Sequence, residues 1–511
     1  MKKSILLSTV SLLLIACGTI EESNENGSDA TFYVSYLGNN ENDGSLEKPW
    51  KTIQFAIDSI DEKATLVIKS GVYNERVLFL GDEDSNIYLK AEKGTVIDGR
   101  GLKPIHRQAL VGIHNAHDIV IENLELRNFK TSVGEELSAT PVGILIDGTS
   151  HDINITRNTI HHIENLSTCS ESDGCATGAN GIAVYGDTTT TMTNLNFIGN
   201  EVYNCILSSS EAFSINGNID GFRVVDNYIH DNNNIGIDII GYEKDVCSTC
   251  IAEKNRARNG IVRNNRAINN STNLALGSFN SNPWYKGSDG SAGGFYVDGG
   301  HHILFEGNRA SQNDLGFEFA SEHSGGSSDN ILMVGNYIYN NRETGLALGG
   351  YNQNSTKEGG GGAKNIMVYN NSFYMNAGWG SEIIFSYRVE DTTIANNIIY
   401  GEGKVSENFS TEQNNQSKNI IWGRNIWWGE DPANVSGVKG DAFLVDPHYI
   451  DGKNGNLNLQ SDSPAIDAGV ERRAITSWSN DFWKREFEDG LIPTYGTRDI
   501  QKQIDIGADE V

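Results

Sequence analysis

HHILFEGNRA (residues 301–310), DNILMVGNYI (329–338) and KNIMVYNNSF (364–373) are one pattern written three times. In each, apolar and polar residues alternate, an asparagine follows in a polar turn, and a second short apolar stretch begins. Alternation at period two is the mark of a β-strand, because successive side chains leave the backbone on opposite faces. The pattern recurs upstream in residues 117–126, 151–160, 193–202, 220–229 and 259–268, and downstream in 391–400 and 418–427. Its asparagines are Asn123, Asn158, Asn200, Asn227, Asn265, Asn308, Asn336, Asn371, Asn397 and Asn425, spaced by 26 to 43 residues. A constant motif at variable spacing means one coil per repeat, with insertions confined to a loop. No coil can bury its own apolar face, so the coils stack. Asparagine tolerates left-handed torsions and can bond its counterpart on the next coil, which predicts a ladder that satisfies buried turn amides.

A second strand follows each asparagine turn. Aligned, these strands are Gly143–Asp147, Gly181–Tyr185, Ala212–Asn216, Gly236–Ile240, Gly294–Asp298, Gly316–Ala320 and Gly345–Gly349. The second and fourth residues are apolar in every row and are predicted to face the core; the first, third and fifth face outward. With coils about 4.8 Å apart, Asp238, Tyr296 and Glu318 form one outward column. Asp298 then lies diagonal to Glu318, about 7–8 Å away at Cβ.

The two ends resemble a known superfamily. Phe32 to Ala56 reads FYVSYLGNNENDGSLEKPWKTIQFA, and Leu66 to Tyr73 follows as a first coil. Near the C-terminus stand Ser463-Pro-Ala-Ile-Asp-Ala-Gly469 and Asp505-Ile-Gly-Ala-Asp509. Together with the repeats, these segments resemble the pectate-lyase-like right-handed parallel β-helix superfamily of secreted bacterial carbohydrate-active enzymes. The resemblance implies an all-β solenoid of ten or more coils with an N-terminal cap and a C-terminal closing segment. It implies lyases, hydrolases and epimerases alike, so it does not fix the chemistry.

The rest of the chain sets the context. Met1 to Cys17 pairs two lysines with a short apolar run ending in Leu-Ile-Ala-Cys, which resembles a bacterial lipobox with Cys17 as the lipidated residue. The expected organisation is a signal peptide over 1–17, an acidic tether over 18–30, the β-helix over 31–460 and a capping segment over 461–511. That places a monomer outside the bacterial cell, attached to the outer membrane or cell surface by its N-terminal lipid alone. The formal net charge of −28 excludes nucleic acid as a partner, since that binding is driven by basic patches. Cys169 with Cys175, and Cys247 with Cys250, read as loop staples in an exported protein, with Cys205 left over.

The outward columns of the central coils concentrate acids and aromatics where a solvated sheet would mix lysine, serine and threonine. Clustered carboxylates raise one another's pKa and suit acid–base work or a metal. The candidate catalytic residues are Asp298, Glu318, Glu322, His323, Tyr242, Tyr351 and Arg388. Tyr185, Tyr296, Tyr387 and Trp284 offer rings for sugar stacking, and Asp238, Asp298 and Glu318 could hold calcium. His161, His162 and His230 fall on a strand away from this face and read as structural. The favoured expectation is β-elimination on an anionic, uronic-acid-containing polysaccharide or oligosaccharide, by a lyase or dehydratase. Hydrolysis by an Asp/Glu pair is the alternative, followed by epimerisation and glycan binding without catalysis. Lyases of the superfamily often use a lysine or arginine base. No lysine lies in the central columns, though Lys244 and Lys286 sit in adjacent loops.

Overall fold

A computed structural model describes residues 30–132, 139–173, 177–287, 289–376, 378–401, 416–429, 442–470 and 505–508. Three long parallel sheets, of 13, 10 and 13 strands, run the length of the molecule. A complete coil contributes a strand to the ten-stranded sheet, then one to the first 13-stranded sheet, then one to the second. The coil containing Thr140–Asp147, His151–Thr156 and Thr159–Glu164 is typical. The result is a right-handed parallel β-helix.

The aligned rows pair as the alternation predicts. Phe213 pairs with Ile237, Ile237 with Phe295, Phe295 with Phe317, and Phe317 with Leu346. These residues are fully buried. Phe295 and Phe317 stack with centroids 4.6 Å apart, and Phe305 meets Phe317 edge-on at 5.6 Å. Each coil thus buries its apolar row only because the next coil lies on it.

The asparagine ladder runs between the two 13-stranded sheets. Each Nδ2 donates to the Oδ1 of the next asparagine from Asn158 to Asn200 (3.1 Å), and so on through Asn227, Asn265, Asn308, Asn336, Asn371 and Asn397 to Asn425. Asn123 is not in it: Leu124 holds the ladder position and its N–H donates to Asn158 Oδ1 at 3.0 Å. Asn123 sits one residue earlier, at φ 64°. In most turns the left-handed residue is the one before the ladder asparagine, as at Arg157, Asp226, Asn264 and Asn396. Ladder membership needs a side chain turned inward, which one residue of offset reverses.

A second ladder follows the last strand of the coil. It joins Asn232, Asn270, Asn313, Asn341 and Asn376. It ends on Glu382, whose carboxylate accepts both the N–H and the Nδ2 of Asn376 at 2.6 Å.

At the N-terminal end, the helix Ile53–Ser59 buries Ile53, Ala56 and Ile57 over the first coil. The first strand already begins at Ala30. The expected signal peptide, Cys17 and the tether up to residue 29 lie outside the described residues. At the other end, the antiparallel strands Tyr449–Asp451 and Asn456–Leu459 leave the helical register before residue 461. The two quoted C-terminal motifs bond to each other, Ile506 N–H to the Ala465 carbonyl at 2.9 Å, and Gly507 N–H reaches Asn396 at 2.8 Å. They therefore lie along the flank of the last coils.

Cys247 and Cys250 form a disulfide, and Cys205 is buried and free. Cys169 is disulfide-bonded, while Cys175 lies outside the described residues. His161 and His230 sit on the second 13-stranded sheet, stacked against Tyr203 at 4.8 and 5.1 Å.

Candidate active site

The ten-stranded sheet carries the acids. Asp238 lies opposite Tyr296 and Tyr296 opposite Glu318 on the strands Ile237–Ile240, Gly293–Asp298 and Leu315–Ala320, so the predicted column exists. Asp298 pairs with Ala320, two residues beyond Glu318, which makes it the diagonal neighbour. This face is covered. Asp238 and Asp298 are 3% and 5% exposed, and Tyr296 is buried.

Loops roof the face. The insertion after Asn270 is tied at both ends to Asp314, whose carboxylate accepts the N–H of Thr272 at 2.9 Å and of Ala292 at 3.0 Å. Its middle is pinned by Asn282, which donates to the carbonyls of Ser208 and Asn233. On the other side, the glycine-rich segment following Tyr351 closes on the strand end, Gly359 N–H donating to the Glu322 carbonyl at 2.6 Å.

Five predicted residues converge here. Asp298 Oδ1 accepts the N–H of Glu322 at 2.8 Å, and the Ser321 hydroxyl also bonds its carboxyl. His323 Nε2 is 3.6 Å from Asp298 Oδ2. The Tyr296 hydroxyl bonds the Glu322 carboxyl. Tyr351, 55% exposed, lies at the rim within the field of Glu322 and Asp298.

Other predicted residues are placed elsewhere. Arg388 was expected to meet a substrate carboxylate, but its guanidinium is taken up by the glycine-rich segment. It donates to the carbonyls of Gly361 (3.0 Å), Gln353 (3.1 Å) and Asn352 (2.6 Å). Tyr387 lies beside it, the guanidinium 5.7 Å from its ring. Tyr242 is turned by a left-handed φ of 67° under the Arg256 guanidinium and bonds Ser327, yet its ring stays 6.5 Å from that of His323, at the edge of the site. Tyr185 is buried beneath Arg107, 3.8 Å from its centroid, and offers no open stacking surface. Trp284 is half-buried on the roofing loop, its carbonyl accepting the N–H of Glu171. Lys244 and Lys286 are exposed.

Two acids join the cluster from just outside the aligned rows. Glu211 precedes Ala212, and Glu243 follows Tyr242 and accepts Asn216 Nδ2 at 2.7 Å. Tyr285 of the roofing loop also points here, its hydroxyl 3.4 Å from Asn234 Nδ2.

Burial without compensating cations makes these carboxyls reluctant to ionise. Burial, reinforced by Glu322, pushes Glu318 up to about 8. Burial, reinforced by Glu243, does the same to Glu211, to about 8. Glu322 rises to about 7 through burial and then Glu358 and Glu243. Asp238 is raised well above the usual carboxylate range by burial and then Glu211, and Asp298 by burial and then Glu322. For Asp298 the Glu322 N–H and the Ser321 hydroxyl pull the other way. Burial holds the His323 imidazole below its usual range.

Among the described residues, no three Asp, Glu, His or Cys side chains are grouped as metal ligands.

No family model matches the sequence. The chain is 33% identical over 468 residues to uncharacterized protein YwoF of Bacillus subtilis (strain 168), covering 87% of this chain and 94% of that protein. The chain belongs to the YwoF family. Among solved structures, this YwoF-family chain is similar to the GH136 lacto-N-biosidase from Eubacterium ramulus, at a TM-score of 0.49 and 15% identity over 78% of this chain and 67% of that one. It is similar to pectate lyase Pel9A at 0.42 and 14%, over 95% and 97%. It is also similar to the A-module of mannuronan C-5 epimerase AlgE4 from Azotobacter vinelandii at 0.42 and 14%, over 81% and 98%. These are likenesses of fold.

Proposed function

We propose that this protein is a glycoside hydrolase, with Asp298 as the carboxylate that acts at the anomeric carbon and Glu318 as the acid that protonates the leaving oxygen. The observation that carries this reading is the contrast between the two groups. Glu318 is half-buried, meets no opposing cation, and holds its proton up to about pH 8. Asp298, on the adjacent strand, is likewise raised by burial and Glu322, but unlike Glu318 it accepts the Glu322 N–H and a Ser321 hydroxyl, which favour its anion. One protonated and one ionised carboxyl is what glycosidic cleavage requires. Water adds across the bond: Glu318 gives its proton to the departing sugar, and Asp298 attacks directly or activates water.

Elimination at a uronic acid needs a cation opposite the substrate carboxylate. Arg388 is held by three backbone carbonyls, and the carboxyls around Asp298 and Glu318 supply no such cation. A neutral or cationic glycan suits the cleft better. Export and lipidation at Cys17 belong to the same proposal and would place the cleft outside the cell; the mass of the mature N-terminal peptide tests them.

The test is incubation with a panel of neutral and uronic-acid glycans. New reducing ends without absorbance from a new carbon–carbon double bond support hydrolysis. Unsaturated products would overturn it.

A further inference from the structure

The upstream half of the cleft holds acceptors to which nothing donates. Asp238 Oδ1, Asn180 Oδ1 and Asn216 Oδ1 are buried and have no hydrogen-bond partner among the described residues. Their side chains are 3%, 0% and 2% exposed. They sit on three consecutive strands, Asn216 opposite Tyr185 and so five residues along from Asn180. Ser214 is the register partner of Asp238, Asn216 lies two residues along the same strand, and Asn180 Nδ2 is 3.4 Å from Ser214 Oγ. Both amide nitrogens are already used, Asn180 toward the Glu211 carbonyl at 2.9 Å and Asn216 toward Glu243 at 2.7 Å. Only the oxygens are left over. A fourth orphaned acceptor, Asn234 Oδ1, lies beside Tyr285.

A buried acceptor without a donor is costly, and native folds leave few of them. Two of these are neutral amides, so their want of donors is independent of the acidic cluster around them. The charges facing Asp238 are Glu211, Asp298, Glu322 and Glu318, and Glu243 is joined to the group through Asn216. Arg107 offsets Glu211 but is stacked on Tyr185. A sugar hydroxyl would donate once and leave the carboxyls uncompensated. An ammonium brings three donors, no acceptor and a full positive charge.

We propose that this part of the cleft binds hexosamine residues through their free ammonium groups, with Asp238 as the anion and the amide oxygens of Asn180 and Asn216 as further acceptors along the strands. The proposal rests on the glycosidase reading and names its substrate class: glycans with unacetylated amino sugars. Glu318, two strands from Asp238, stays available as the acid.

Titration calorimetry on the unmodified chain near neutral pH, with a glucosamine tetrasaccharide and its N-acetylated counterpart, tests it. The free-amine form is expected to bind at least about tenfold more tightly. That advantage persists as salt is added, because buried charges are little screened, and Asp238→Asn removes most of it. The comparison of two ligands on the unmodified chain does not depend on how the variant folds. Equal or tighter binding of the N-acetylated form overturns the proposal, as does an Asp238→Asn variant that folds and keeps the full preference. The two readings part cleanly. Asp298-dependent release of reducing ends without amine preference sinks the hexosamine site and leaves the glycosidase standing. Amine-selective binding with no new reducing ends from any glycan does the reverse.

Discussion

Asp298 and Glu318 are carboxyls on neighbouring strands, yet their surroundings assign them opposite tasks. Asp298 has a backbone N–H and a serine hydroxyl to stabilise its anion. Glu318 shares the burial and the nearby Glu322, which favour the proton on both, but lacks those donors. Asp298→Asn keeps the shape and removes the charge, so turnover should fall by about 100- to 10,000-fold while the circular dichroism spectrum stays unchanged. Wild-type rates in a folded Asp298→Asn protein would remove it from the mechanism. Glu318 must carry its proton to act, so activity should decline as pH rises through about 8. Glu318→Gln should be slow at every pH and lack that alkaline limb. A pH–rate profile of the two proteins decides the point, and an unchanged limb in the variant would assign the ionisation to another group.

At the scale of strands and turns, the ladder is the element that the sequence shows best. Asn308 donates to Asn336 and to the Val262 carbonyl, and accepts from the N–H and side chain of Asn265. Replacing it with alanine strands a buried turn, and should cost about 2–3 kcal/mol in chemical denaturation. A loss near zero would mean that water replaces the side chain. Period two and the recurring asparagine made the coils, their register and the Asp238–Tyr296–Glu318 column legible, because each follows from side-chain direction alone. Asn123 misled because its offset of one residue changes the facing and leaves the composition of the motif alone. The second ladder, from Asn232 to Asn376, lacks a fixed motif around it. Glu211, Glu243 and Tyr285 reach the cleft through strand edges and loops whose path no periodicity encodes. Arg388 looked catalytic by its position, yet its partners are backbone carbonyls, which leave no trace in a sequence. Arg388→Met should therefore hasten limited proteolysis between residues 352 and 361 and raise KM more than it lowers kcat. Unaltered cleavage and KM would show that the segment stands without its clamp.

For the molecule as a whole, gathering acids into one roofed cleft links folding to pH. Glu318 and Glu211 ionise near 8 when folded and near 4.5 ordinarily, and Glu322 near 7. Between these values the folded chain binds more protons than the unfolded one, so the stability slope with pH is negative. The contribution is full below about 4.5 and disappears as pH climbs to about 8. Asp329 has the opposite sign: His301 and Arg256 outweigh its burial and hold it below its usual 3.8, so its contribution fades only in stronger acid. The folded protein should therefore melt at a higher temperature in mildly acidic buffer than at pH 8, despite its large negative charge. Repulsion among exposed acids would also weaken the fold as pH rises, but it is screened by salt, whereas the cleft's contribution is buried and survives. Glu318→Gln separates the two, since it removes one costly ionisation from the cleft and leaves the surface untouched. It should raise the melting temperature at pH 8, leave it nearly unchanged at pH 5, and do so in high salt as well. A Glu318→Gln protein with the wild-type melting curve at both pH values would mean that water reaches the carboxyl, and that the roof over the acids is open in solution.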